Sequence, residues 1–201
     1  MKRQIKASIL GVGMLAIAAA SCTTGQQATE TISGLNPAKF DSTINGKKTA
    51  LYVLKNNNGM EVCITNFGAR VVSLVVPDKD GKPTDVVLGY DNIAQYADIE
   101  KSPSDFGSSV GRYANRINQG KITVDGKEYQ LPQNNFGHCL HGGPTGCMYQ
   151  VYDAELANDS TLKMTIVSPD GDNNFPGTVT ATTTYVIKSD NTLDITWEAT
   201  T

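Results

Sequence analysis

The stretch Gly111-Arg112-Tyr113-Ala114-Asn115-Arg116-Ile117 places two guanidinium groups and an amide directly after a Gly107-Ser108-Ser109 turn. An arginine offers several N–H donors in a fixed fork, and an asparagine amide both donates and accepts. Asn115 and Arg116 can therefore read a pattern of hydroxyl groups without chemistry of their own. The same residue types also bridge loop carbonyls, a structural use that needs no ligand. The only two histidines, His138 and His141, lie in Asn134-Asn135-Phe136-Gly137-His138-Cys139-Leu140-His141-Gly142-Gly143-Pro144. Glycines in such a loop permit unusual φ and remove bulk, so an imidazole can be held close to a bound molecule.

Other constellations are less productive. His138, Cys139, His141 and Cys147 are all metal-ligand types, but their spacing fits no common structural zinc pattern, and adjacent His138 and Cys139 would have to converge on one ion. No metal is expected. The segment Ser168-Pro169-Asp170-Gly171-Asp172-Asn173-Asn174-Phe175-Pro176-Gly177 starts like a calcium loop, yet Phe175 stands where the sharp-turn glycine belongs and Ala181 where the bidentate glutamate belongs. It reads as a long polar turn. A nucleophile-elbow serine, a P-loop and a dinucleotide fingerprint are all missing from the sequence. A net charge of −3 supplies no basic field for nucleic acid.

The elements that must position these loops are strands. Short runs rich in Val, Ile, Thr and Tyr alternate with Gly, Asn, Asp and Pro turns. The pattern predicts an all-β domain with strands over 50–55, 60–65, 70–76, 85–88, 121–124, 127–131, 149–155, 162–167, 179–188 and 192–198. Asp125-Gly126 suits a two-residue hairpin turn that demands positive φ, and Asp80-Gly81 and Asp190-Asn191 look similar. One helical turn is expected over 91–96, after Asp91 as a capping residue.

The N-terminus carries a different message. Lys2, Arg3 and Lys6 precede an apolar run that ends in Ala19-Ala20-Ser21-Cys22. This layout predicts a secretory signal over 1–21, cleaved before a lipid-bearing Cys22; a plain cleaved signal or an uncleaved anchor are the other readings. Residues 22–35 contain few large apolar side chains and read as a flexible tether, followed by a single domain over 36–201. The expected location is exported, periplasmic or membrane-anchored through the lipid on Cys22. Beyond Cys22 there are three cysteines. A bridge between Cys139 and Cys147 is open to an exported chain, whereas Cys63, in an apolar alternating run, suits a buried free thiol.

Taken in order, Asn66-Phe67-Gly68-Ala69, Val75-Val76-Pro77-Asp78, Asp85-Val86-Val87-Leu88-Gly89-Tyr90, the 111–117 stretch, Leu140-His141-Gly142-Gly143 and the 168–177 loop resemble the galactose mutarotase (aldose 1-epimerase) family over about 47–200. The resemblance implies an antiparallel β-sandwich, the galactose mutarotase-like supersandwich, with its site in an open groove. It further implies interconversion of the α and β anomers of free hexoses such as galactose and glucose by acid/base ring opening, without cofactor or metal. Asn115 and Arg116 match the family's sugar-binding pair, and His141 matches the histidine that contacts substrate near the reacting centre. His138 inherits no role. The family's proton-donating histidine follows the strand matching 192–198, in an Asn-x-x-x-His-like segment, and its base glutamate lies further on. Neither position occurs in these 201 residues, so the resemblance implies the N-terminal part of a sandwich, incomplete at the C-terminus and of doubtful activity by itself. The alternative is a noncatalytic carbohydrate-binding lipoprotein.

Overall fold

The computed structural model describes residues 31–201, so the expected signal and the lipid site at Cys22 lie outside the described residues. A small hairpin of β1 (Ser42–Ile44) and β2 (Lys47–Thr49) leads into a four-stranded antiparallel sheet. It runs in chain order through β3 (Leu51–Lys55), β4 (Glu61–Thr65), β5 (Arg70–Pro77) and β6 (Pro83–Asp85). After a short helix, α1 (Ile93–Ala97), β7 (Arg116–Ile117) pairs with β10 (Cys139–Leu140), and the hairpin of β8 (Lys121–Val124) and β9 (Lys127–Gln130) lies between them in sequence. A second four-stranded antiparallel sheet contains β11 (Asp153–Asn158), β12 (Thr161–Ser168), β13 (Val179–Ile187) and β14 (Leu193–Thr200), again in chain order.

Alternation builds the core. Along β12, Leu162, Met164 and Ile166 are buried while Lys163 and Val167 face out, the period of two that a half-buried strand requires. They join Tyr185 and Ile187 of β13 against Leu54, Val62, Ile64 and Val71 of the first sheet. Strand β4 is buried along its whole length. Its opposite side presents Cys63 to a second cluster with Phe40, Leu51, Phe67, Val72, Ile93 and Tyr96. In β5 the pairing passes from Ile64–Val71 to Cys63–Ser73, so Val72 is an extra residue in a bulge. The bulge lets Val71 and Leu74 face the same core although they are three residues apart.

Most expected strands form, with informative differences. The strand expected over 85–88 ends at Asp85, whose carboxylate accepts from the N–H of Leu74 (3.1 Å) and of Val87 (3.0 Å), replacing ladder partners and leaving Val86 and Leu88 exposed. The strand expected over 149–155 starts instead at Asp153; Cys147–Tyr149 forms a 3-10 turn, and Val151 makes one isolated bridge to Phe67. Helix α1 is capped by the Asn92 side chain, which accepts from Gln95 N–H at 3.0 Å, rather than by Asp91. The Asp125-Gly126 turn has the expected positive φ at both residues, 50° and 79°.

The last residues of the segment read as a tether are held in place. Thr31 is buried, and the fully buried Glu61 carboxylate accepts from the N–H groups of Ile32 (2.9 Å) and Ser33 (3.2 Å) while pairing with Lys55 at 2.9 Å. A buried charge is tolerable only with such complete partnering. Replacing it as Glu61→Gln keeps an acceptor but removes the charge. The expected results are faster amide exchange at Ile32 and Ser33 and a loss of about 1–2 kcal/mol in unfolding free energy, read by hydrogen exchange and denaturant titration.

Candidate active site

Three loops meet at one end of the sandwich: 104–115 before β7, 134–149 around β10, and 168–177 between β12 and β13. Arg112 ties two of them together. Its Nε donates to Ser168 Oγ (2.9 Å), Nη1 to Pro176 O (3.0 Å), and Nη2 to Ser168 O (2.9 Å) and Pro169 O (2.8 Å). The guanidinium also lies 5.8 Å from the Phe175 ring. Four of its donors serve this one loop, so Arg112 is a structural bridge. The third loop is drawn in through Thr145 Oγ1, which donates to Asn173 Oδ1 at 3.0 Å.

The glycine-rich loop packs backbone to backbone. Gly142 has φ 81°, and a Cβ on it would stand 2.1 Å from Gly111 O. Its lack of a side chain allows the 140–143 turn to lie directly on the 111–112 segment. That contact brings His141 beside Asn115.

Those two residues then grip each other. His141 N–H donates to Asn115 O at 3.0 Å, and Asn115 N–H donates to His141 Nδ1 at 2.9 Å. Both sit in the left-handed region, with φ 66° at Asn115 and 52° at His141. Non-glycine residues adopt that region at a cost, and residues so held cluster at functional sites. An Nδ1 that accepts a hydrogen bond leaves the ring proton on Nε2. The Nε2 side points towards Asp105, with Oδ2 at 3.9 Å, and both side chains are partly open to solvent.

Arg116, the first residue of β7, is exposed; its Nε donates to Asn135 Oδ1 (2.9 Å) and its Nη1 reaches Asn115 Oδ1 (3.4 Å). Asn134 clasps Leu140 from both sides, accepting its N–H at 2.8 Å and donating to its carbonyl at 3.1 Å. The structure therefore brings Asn115, Arg116 and His141 together. His138 lies apart in role: its Nδ1 accepts from Gln119 N–H at 3.0 Å and braces the turn into β8. Sequence reasoning missed Asp105, Asn135 and Tyr149. Only the position of Asp105 just ahead of the Gly107 turn hinted at its place.

The three described cysteines beyond Cys22 are free thiols, including Cys139 and Cys147. Burial first, then the charge of Glu61, pushes the Cys63 thiol up to about 12. Burial first, followed by the Asp105 carboxylate, pushes the Tyr149 phenol up to about 12 as well. Tyr149 OH donates to Asp105 Oδ1 at 2.9 Å, and a phenol so shifted remains a donor across the neutral range.

Two antiparallel sheets packed face to face, with a loop cluster at one end that carries Asn, Arg and His, define an all-β sandwich of the galactose mutarotase kind. The sequence profile of the aldose 1-epimerase family matches residues 50–201, and the chain belongs to that family. It is 36% identical over 155 residues to an aldose 1-epimerase of Escherichia coli K12, covering 77% of this chain and 44% of that protein. It is 39% identical over 128 residues to the galactose mutarotase of Rattus norvegicus, covering 64% and 36%. Among solved structures, a GalM/aldose epimerase homologue from Caenorhabditis elegans superposes with a TM-score of 0.71 at 33% identity over 76% of this chain and 46% of that one. A galactose 1-epimerase from Lactobacillus acidophilus gives 0.68 at 26%, over 79% and 46%. The chain spans less than half the length of the curated relatives it matches.

Proposed function

We propose that this chain binds a free hexose such as galactose or glucose at Asn115, Arg116 and His141 and serves aldose 1-epimerase (mutarotase) chemistry. In that reaction a base takes the proton of the anomeric hydroxyl, an acid protonates the ring oxygen, the ring opens, and reclosure gives the other anomer. His141 offers an N–H donor on Nε2, Arg116 a guanidinium edge, and Asn115 an amide that accepts from Arg116. Such groups orient a neutral polyol through hydrogen bonds and need no cofactor. The observation that carries the reading is the mutual Asn115–His141 grip, which holds the histidine beside the Asn-Arg pair. The galactose mutarotases among its relatives support the choice of sugar.

We also propose export as a lipoprotein held to a membrane through Cys22. The Lys2, Arg3 and Lys6 cluster, the apolar run and the small residues before Cys22 support it.

The test is titration with D-galactose together with polarimetry of freshly dissolved α-D-galactose, using wild type and His141→Ala. The wild type is expected to bind D-galactose, and a faster approach to anomeric equilibrium would establish the epimerase half of the reading. The variant should bind about tenfold more weakly through loss of one donor. Binding with no acceleration would leave a hexose-binding protein and remove the epimerase half of the proposal. No binding by a folded sample would remove both.

A further inference from the structure

Resting on the hexose-binding reading above, we propose that Asp105 is a specificity-determining residue: its carboxylate and His141 Nε2–H clamp one hydroxyl of the sugar between them. The two atoms are 3.9 Å apart, too far for a direct hydrogen bond. That distance suits a shared third atom, because two partners each about 2.8 Å from one oxygen and about 90° apart around it stand about 4 Å from each other.

The polarity of the pair selects the occupant. His141 Nδ1 accepts the Asn115 N–H, so its Nε2 donates. The Asp105 carboxylate only accepts. A hydroxyl accepts from the first and donates to the second. A carboxylate or phosphate oxygen would be repelled by Asp105, and an ammonium would offer His141 nothing to donate to. The clamp therefore fits a neutral polyol.

The carboxylate is also rigidly aimed, unlike most surface aspartates. Tyr149 OH donates to its Oδ1 at 2.9 Å, which leaves Oδ2 for the ligand. The backbone on either side is fixed from below by buried Arg70, whose Nη1 donates to Ser104 O (2.7 Å) and Phe106 O (3.3 Å). Asp105 and His141 keep 34% and 25% of their side-chain surface exposed, enough for a ligand to reach them.

The test is calorimetric titration of D-galactose into wild type, Asp105→Ala, His141→Ala and the double variant, with melting curves for each. Losing a hydrogen bond to a charged group should raise the Kd about tenfold in Asp105→Ala. Because both groups hold one hydroxyl, the double variant should be little weaker than the weaker single variant, instead of showing the product of the two losses. Among the 2-, 3-, 4- and 6-deoxygalactoses, one should bind the wild type as weakly as galactose binds Asp105→Ala, and should lose nothing further in that variant. Asp105→Asn keeps the shape and the Tyr149 contact; it should melt like wild type and still bind several-fold more weakly, which covers the case of an alanine variant that folds poorly. Unchanged galactose affinity in both Asp105 variants, or losses that multiply in the double variant, would overturn the clamp while leaving hexose binding intact. A wild type that binds no hexose would overturn the underlying functional reading and the clamp with it.

Discussion

Arg70→Met is expected to lower the unfolding free energy by about 3–5 kcal/mol, because it strips the donors from three backbone carbonyls at once. Arg70 has no exposed surface. Its Nη1 serves Ser104 O and Phe106 O, its Nη2 donates to Met148 O at 3.2 Å, and its guanidinium carbon lies 4.7 Å from the centre of the Tyr96 ring. Burial lowers its pKa, with the neighbouring Tyr96 and Asp105 opposing that shift. Methionine fills much of the volume but leaves three carbonyls without a donor inside the protein. Arg70→Lys should recover little, because a single ammonium does not reproduce the planar fork. Urea titration measures the loss. Loosening of the 104–106 segment should appear as faster amide exchange there.

Gly142→Ala should cost about 3–5 kcal/mol by a different route. The new Cβ would meet Gly111 O at 2.1 Å, a backbone atom that cannot swing aside, at a φ of 81° that alanine disfavours. Gly126→Ala is the matched control. It has φ 79° but nothing within 4 Å of the added Cβ, so only the conformational penalty of about 1–2 kcal/mol remains. Equal losses at the two positions would mean that the packing of the histidine loop on the 111–112 segment is softer than its geometry implies. The expected difference is read from denaturant midpoints.

The sandwich was legible because its strands obey a period of two: Leu162, Met164 and Ile166 announce an inward face without any tertiary information. Elements whose cause is non-local were hidden. The pair β7–β10 is only two residues long on each side and exists because Gly142 lets the two loops touch. Val86, Val87 and Leu88 look like a strand, but after one further bond from Val86 N–H to Leu74 O the Asp85 carboxylate takes the N–H groups of Leu74 and Val87. Residues 31–33 belong to a mostly polar stretch and read as tether; what fixes their backbone is a buried glutamate about thirty positions away. At the site, Asn115, Arg116 and His141 stood out by type and by motif, whereas the two arginines of the 111–117 stretch could not be separated by type. Only the four bonds of Arg112 to the 168–177 loop assign it to structure. Asp105 and Tyr149 stayed invisible because their meeting depends on a separation of 44 residues.

The mutual grip of Asn115 and His141 has a kinetic side. Each residue supplies one donor and one acceptor to the other across 26 positions of sequence, so the imidazole is oriented by folding itself and has no rotamer search left to make. A ligand arriving there meets a finished surface. Association should then be limited by diffusion and by the orientation of the incoming molecule, not by loop closure, and affinity differences among related sugars should be expressed in how long each one stays.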